Sequence, residues 1–112
     1  MVKWYKYLYV GSRMEKKKKR CMCRIETGKR LNGMYIVTLA SRKGDQLEIM
    51  TARELYQPVL TDRLKLIVGL AADYAEAMEI VYKIIDDAEA AGMRGRLRAF
   101  IEKQEGIQKI LC

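Results

Sequence analysis

Five consecutive cationic residues, Lys16, Lys17, Lys18, Lys19 and Arg20, form the segment of this sequence best suited to binding chemistry. Ammonium and guanidinium groups pair with phosphate and carboxylate groups, so such a run favours an anionic partner. A nucleic acid held in this way would bind with little sequence preference and with strong salt dependence. The alternative is that these side chains only keep a strand edge from aggregating. The nearby cations that would extend this surface are Arg13, Arg24, Lys29, Arg30, Arg42 and Lys43.

Three tyrosines, Tyr5, Tyr7 and Tyr9, occur at every second position and would lie on one face of an extended strand. Aromatic rings on a sheet can stack on the bases of single-stranded nucleic acid. The same spacing also suits tyrosines that pack against their neighbours in a sheet. The sequence lacks the signature of RNA-recognition domains. The tyrosines are therefore candidate nucleic-acid contacts with a structural alternative.

Two cysteines, Cys21 and Cys23, could hold a metal ion only with further ligands, because a closed site needs about four. The chain contains no histidine, and its third cysteine is Cys112. In a strand, residues two positions apart lie about 6.5–7 Å apart, too far for a relaxed disulfide. We expect both cysteines to be small core residues, and we expect no metal site and no cofactor.

Catalytic signatures are missing from the sequence. The absence of histidine removes the commonest general base. The segment Glu26–Lys29 resembles the end of a phosphate-binding loop, but it lacks the first glycine of that motif and Arg30 replaces the required Ser or Thr. Asp86 and Asp87 diverge by about 100° around a helix, so they would not share a pocket. We expect the protein not to be an enzyme.

The charge is unevenly distributed along the chain, although its total is +8. Residues 1–44 contain 13 Lys or Arg and 2 Asp or Glu, which is a net charge of +11. Residues 45–112 contain 9 and 12 of these, which is −3. This asymmetry predicts a basic surface on one side of the fold. Pairing of that surface with the acidic helix described below would produce the same sequence, so both alternatives stay open.

The length of 112 residues predicts one domain over residues 1–112. The longest uncharged apolar run, Leu66 to Ala72, is too short to span a bilayer, so we expect no membrane insertion. The N-terminal segment lacks the apolar stretch of a secretory signal, so we expect none, and an odd number of cysteines fits a reducing compartment. We therefore expect a cytoplasmic protein.

The first half of the chain predicts four strands, because apolar and polar residues alternate in it. They are Trp4 to Val10, Lys18 to Glu26, Met34 to Ala40 and Leu47 to Met50. Short connections between them predict an antiparallel meander. In this arrangement residues 13–30 would form a basic hairpin.

The second half predicts a short helix from the capping box Thr51–Glu54, a buried strand over Lys65 to Leu70 and two helices. The first, about 73–91, begins at Asp73 and ends near Gly92, and the second covers about 96–104. The sequence predicts an α+β two-layer sandwich, in which both helices cover one side of a mainly antiparallel sheet of four to five strands. The expected apolar stripe of the long helix is Tyr74, Ala77, Met78, Val81, Ile84, Ile85 and Ala88. Its expected outer acids are Glu76, Glu79, Asp86, Asp87 and Glu89.

Residues Asp45–Ile49 and Leu66–Val81 resemble segments of small uncharacterised Firmicutes proteins. The resemblance covers less than a third of the chain and excludes the lysine-rich segment. It implies a strand-turn-helix unit and no activity, since the proteins in question have no known function.

Together these observations favour a small bacterial binding or interaction module without catalytic function. The expected partner is a protein, including a second copy of the chain. The first alternative is a nucleic-acid-binding domain that uses the basic hairpin of residues 13–30. The second is a small-molecule binder with a pocket between helix and sheet.

Overall fold

The structure of the protein is a computed structural model that describes residues 2–28, 33–39, 46–56 and 65–105. The strands are β1 (Val2–Val10), β2 (Tyr35–Leu39), β3 (Leu47–Thr51) and β4 (Lys65–Ala71). The helices are α1 (Lys18–Glu26), α2 (Tyr74–Ala90) and α3 (Leu97–Glu105), with short 3-10 helices at Glu15–Lys17 and Ala52–Tyr56. The predicted α+β sandwich is confirmed. No helix in these ranges is both long and apolar enough to cross a membrane.

The four strands form one mixed sheet in the order β1-β4-β2-β3. β4 pairs antiparallel with β2, and β2 pairs antiparallel with β3, so the sheet is mainly antiparallel as predicted. β1 pairs with β4 in parallel, from Val2 opposite Lys65 to Val10 opposite Leu70. The predicted meander is therefore wrong, because β4 lies between the first two strands. Pairing between segments so far apart in sequence leaves no local signal from which it could be predicted.

The predicted strand over Lys18 to Glu26 is also wrong, since this segment is helix α1. Cys21 and Ile25 are buried, whereas Cys23 is exposed. Burial at positions four apart is the period of a helix, and lysine and arginine are good helix formers. Residues 13–28 therefore form a turn, a 3-10 helix and α1 in place of a hairpin arm. The expectation that both cysteines are core residues holds only for Cys21.

One face of the sheet is covered by α2 and α3. Val68 of β4 and Val37 of β2 pack there against Ile80 and Ile84 of α2 and Ile101 of α3. The predicted ends of α2 are confirmed. The Asp73 carboxylate accepts a hydrogen bond from the backbone N–H of Glu76, and the Met93 N–H donates to the Ala88 carbonyl across Gly92, whose φ is +77°.

The opposite face is covered by α1, a helix that the sequence did not predict, whereas the two predicted helices, α2 and α3, lie on one side as expected. Cys21 and Ile25 pack against Ile36 of β2 and Ile67 of β4. The Trp4 indole N–H donates to the Glu26 carboxylate over 2.6 Å and ties the end of α1 to β1. The chain therefore leaves β1 toward one face and leaves β4 toward the other.

Candidate functional site at the end of strand β1

A polar cluster joins the turn after β1 to the turn after β4. The Glu76 carboxylate is only 3% exposed and accepts hydrogen bonds from the N–H groups of Ala72, at 2.8 Å, and Arg13, at 3.2 Å. The Arg13 guanidinium lies 3.3 Å from the same carboxylate and also pairs with Asp73. The cluster holds the carboxyl ends of the two parallel strands together.

Gly11 allows the Glu76 side chain to lie directly against the backbone of the turn after β1. A Cβ atom at this position would lie 2.0 Å from the Glu76 Oε1 atom and 2.2 Å from its carboxyl carbon. The Gly11 N–H donates to the Leu70 carbonyl over 2.8 Å, so the backbone is held in place as well. Glu76 was predicted to be one of the outer acids of α2, and that prediction is wrong, because its side chain is buried. The overlooked signal is that Glu76 lies three residues after Asp73, which caps the helix. At this position a glutamate side chain can turn back toward backbone N–H groups at the start of the helix.

The cluster predicts a loss of stability in acid. The Glu76 N–H and then the Arg13 guanidinium hold the pKa of Asp73 below its ordinary value of 3.8. Because the folded pKa is the lower one, Asp73 stabilises the fold above pH about 4, and this contribution is lost as the pH falls further. Urea unfolding between pH 7 and about pH 2 should show less acid dependence for Asp73→Asn than for the wild type. Asparagine remains a good helix cap but carries no charge to pair with Arg13, so the variant should be less stable than the wild type at pH 7, and the difference should shrink as the pH falls toward 2.

The matched control for this measurement is Asp86→Asn, an exposed acid on α2 outside the cluster. This variant should keep the acid dependence of the wild type. Equal acid dependence in Asp73→Asn and the wild type would contradict the assignment of the effect to Asp73.

The cationic run forms what we call the basic surface, Lys16 to Arg20, on the 3-10 helix and the first turn of α1. All five residues are exposed. Arg24 is half-buried on the same helix, and Lys29 and Arg30 lie outside the described residues, as do Arg42 and Lys43. The structure therefore brings together the central part of the predicted surface.

Within the described ranges, the acidic side chains of α2 form no ion pair with the basic surface. α1 and α2 cover opposite faces of the sheet, and the exposed acids of α2 include Glu79, Asp86 and Glu89. Among the described residues, no ion pair joins a side chain of the basic surface to a carboxylate. Of the two alternatives for the charge asymmetry, the structure favours an exposed basic surface.

The three tyrosines lie side by side on the α2 face of the sheet, and the ring of Tyr5 contacts the rings of the other two. Tyr5 is 3% exposed, its ring stacks on that of Tyr9 with centroids 6.2 Å apart, and it meets Tyr7 edge to face at 5.9 Å. The Tyr9 hydroxyl donates to the Asp87 carboxylate over 2.5 Å. Burial first, and then this hydrogen bond, raise the pKa of Tyr9 above its ordinary range.

Only Tyr7 of this group is largely exposed, at 54%, and the Lys6 ammonium lies 5.3 Å from the centre of its ring. An open groove of about 410 Å³ runs along the three tyrosines to the end of α2 and to α3. Asp87 lines this groove, and its carboxylate would repel a phosphate. The arrangement therefore favours the packing interpretation of the tyrosines over base stacking.

A second hollow, a cleft of about 490 Å³, lies at the carboxyl end of β1. Tyr9 lines both hollows, so the cleft and the tyrosine groove meet at this side chain. Lys18 of the basic surface and Lys83 of α2 both line this cleft, and Lys83 was not among the predicted site residues. Only the folded chain brings the two lysines to one cleft. The residues that line the cleft are Leu8, Tyr9, Val10, Glu15, Lys18, Ile80 and Lys83.

The described residues contain no group of three or more Cys, Asp or Glu side chains that could hold a metal ion. Cys21 is buried and Cys23 is exposed, while Cys112 lies outside the described ranges. Comparison with protein-family models, curated proteins and solved structures found no match to this chain. The site is therefore interpreted from its own residues.

Proposed function

We propose that the protein is a non-catalytic interaction module, and that an acidic surface of a partner protein docks on its basic surface. The observation that carries this proposal is the exposure of Lys16 to Arg20 without carboxylate partners among the described residues. A rigid helix that presents several cations gains the most when it meets carboxylates in complementary positions.

The support for a stable binding scaffold comes from the buried side of the same helix. Cys21 and Ile25 anchor α1 to the sheet, and Met14 is buried just before the cations begin. The cations are therefore attached to packed structure, so less conformational entropy is lost when a partner binds them.

A second candidate is a nucleic-acid-binding domain. The specific observation in its favour is that the five cations are consecutive and all exposed, which would place several phosphates within reach. The tyrosines weigh against it, because Tyr5 and Tyr9 stack on each other and Asp87 lies beside them. The protein partner is therefore the first proposal.

The test compares a labelled polyglutamate chain with a labelled RNA oligonucleotide of equal charge, by fluorescence anisotropy at about 50 and 200 mM salt. The variant combines Lys16→Gln, Lys17→Gln and Lys19→Gln. It should bind polyglutamate about 10-fold more weakly than the wild type at low salt and show a smaller salt dependence. Lys18 is left unchanged because it also lines the cleft.

The matched control removes three exposed cations outside the basic surface, through Arg94→Gln, Arg96→Gln and Lys103→Gln. Its affinity should stay within about twofold of the wild type, because distant exposed charges are screened. Equal losses in the two variants would mean that net charge alone drives binding and would overturn the proposal. Tighter binding of RNA than of polyglutamate would replace the protein partner with the nucleic acid.

A further inference from the structure

We infer that the cleft at the carboxyl end of β1 is a binding site for a small phosphate monoester with an apolar or aromatic body. This inference goes beyond the proposed function, because it concerns a different site and a ligand of a different size. It depends on the sheet topology, the polar cluster beside the cleft and the side chains that line it.

The topology places the cleft beside the point where ligands usually bind in sheets with parallel strands. β1 and β4 are parallel neighbours, and the chain leaves them toward opposite faces, into α1 and α2. Such a divergence opens a crevice beyond the carboxyl ends of the strands. Sites at these points are mostly apolar hollows of about 300–1,000 Å³ with a few polar groups, and the cleft, at about 490 Å³, falls in this range.

The centre of the crevice is filled by the chain itself. The Glu76 carboxylate accepts hydrogen bonds from the N–H groups of Ala72 and Arg13 and from the Arg13 guanidinium. These are the donors that a bound anion would use at this point. A ligand must therefore bind beside the cluster, on the outer side of β1. The cluster also fixes the turn after β1 against the start of α2, and the segments that follow these two points supply Glu15, Lys18, Ile80 and Lys83 to the cleft.

The lining combines an apolar wall with two cations from separate elements. Leu8, Val10 and Ile80 supply the wall, while Lys18 comes from α1 and Lys83 from α2. Within the described ranges, neither lysine is in an ion pair. Two ammonium groups balance the charge of a phosphate monoester, which is about −1.5 to −2 at neutral pH.

The remaining two side chains, Tyr9 and Glu15, restrict the chemical class of the ligand further. Tyr9 is held by its hydrogen bond to Asp87, so its ring can flank a flat apolar body without first being ordered. Glu15 also lines the cleft, and its carboxylate repels a phosphate while it accepts a hydrogen bond from a hydroxyl. The ligand therefore places its phosphate toward the lysines and an uncharged part toward Glu15.

The test measures the binding of phenyl phosphate to the full chain by calorimetry and by protein NMR shifts. The comparison probes are inorganic phosphate, phenylacetate and benzyl alcohol, which lack the apolar body, the second negative charge and any charge respectively. Phenyl phosphate should bind saturably and about 10-fold more tightly than each of the other three, since both the lysines and the apolar wall contribute. The shifts should centre on residues 8–10 and 80–83.

The variant Lys18→Gln with Lys83→Gln should lose about 10-fold or more in affinity for phenyl phosphate. The matched control, Arg94→Gln with Arg96→Gln, removes the same charge elsewhere and should stay within about twofold. Circular dichroism of both variants checks that they fold. Absence of saturable binding, equal binding of inorganic phosphate, or equal losses in the two variants would each overturn the inference. The polyglutamate experiment leaves Lys18 and Lys83 intact, so the two proposals can fail independently.

Discussion

Replacement of Gly11 with alanine is expected to lower the free energy of unfolding by about 2–6 kcal/mol. The new Cβ atom would lie 2.0 Å from the buried Glu76 Oε1 atom, so one of the two must move. Overpacking in a filled site costs about 1–3 kcal/mol, and displaced hydrogen bonds to a buried charge add roughly 1–3 kcal/mol. Urea unfolding followed by circular dichroism measures the change.

The double variant Gly11→Ala, Glu76→Ala tests whether the loss of stability comes from contact with the Glu76 side chain or from any change in the turn. Glu76→Ala alone should cost about 2–3 kcal/mol, because the N–H groups of Ala72 and Arg13 lose their acceptor. The double variant should cost clearly less than the sum, since alanine at position 76 removes the atoms that clash. Ser12→Ala, at an exposed neighbour, should change stability by less than about 0.5 kcal/mol. Additive costs in the double variant would contradict the close contact.

The second large effect is expected from Ile25→Ala, which should cost about 2–4 kcal/mol. Ile25 is 6% exposed and packs with Cys21 against the sheet face that α1 covers. Its removal leaves a cavity beneath the helix that presents the basic surface. Chemical unfolding of the variant measures the loss, and its affinity for polyglutamate should fall only if α1 detaches.

Cys23→Ala is the matched control for this experiment, because Cys23 lies two positions away on α1 and is exposed. Its cost should stay below about 0.5 kcal/mol. A strand would place Cys21, Cys23 and Ile25 on one face and would make all three substitutions costly. Comparable losses for Cys23→Ala and Ile25→Ala would therefore contradict the helix.

The parts of the fold that were predicted correctly carry their signal locally. α2 has an apolar stripe over 17 residues, with Asp73 to begin it and Gly92 to end it. β4 is a continuous apolar run that is buried from Leu66 to Ala71. At Thr51–Glu54 the Glu54 carboxylate accepts a hydrogen bond from the Thr51 N–H, which is one of the two bonds of the predicted capping box.

The incorrect predictions concern segments whose local sequence pattern fits two structures equally well, or contains no information on the structure. Over nine residues, the apolar positions of α1 fit a period of 2 nearly as well as one of 3.6, and the choice of strand moved Cys23 into the core. The position of β1 beside β4 depends on the pairing of distant segments, which no local pattern records. The face that α2 turns toward the sheet was misjudged by about one position, so Ile80 and Glu76 were missed as buried residues.

The candidate site was predictable in its chemistry and unpredictable in its assembly. The exposed cations Lys16 to Arg20 follow directly from the sequence. The contact of Arg13 with Glu76 and the shared cleft of Lys18 and Lys83 involve residues more than sixty positions apart. Such pairs are defined by topology, so composition and spacing could not identify them.

The parallel pairing of β1 with β4 has a consequence for how the chain folds. Trp4 pairs with Ile67, so β1 emerges from the ribosome long before its partner is synthesised. Contacts of this sequence separation slow folding, and during that time an aromatic-rich strand is exposed to other nascent chains. Charged residues that flank such a strand act as gatekeepers against aggregation. The lysines after β1 would then protect the newborn chain before any partner is present.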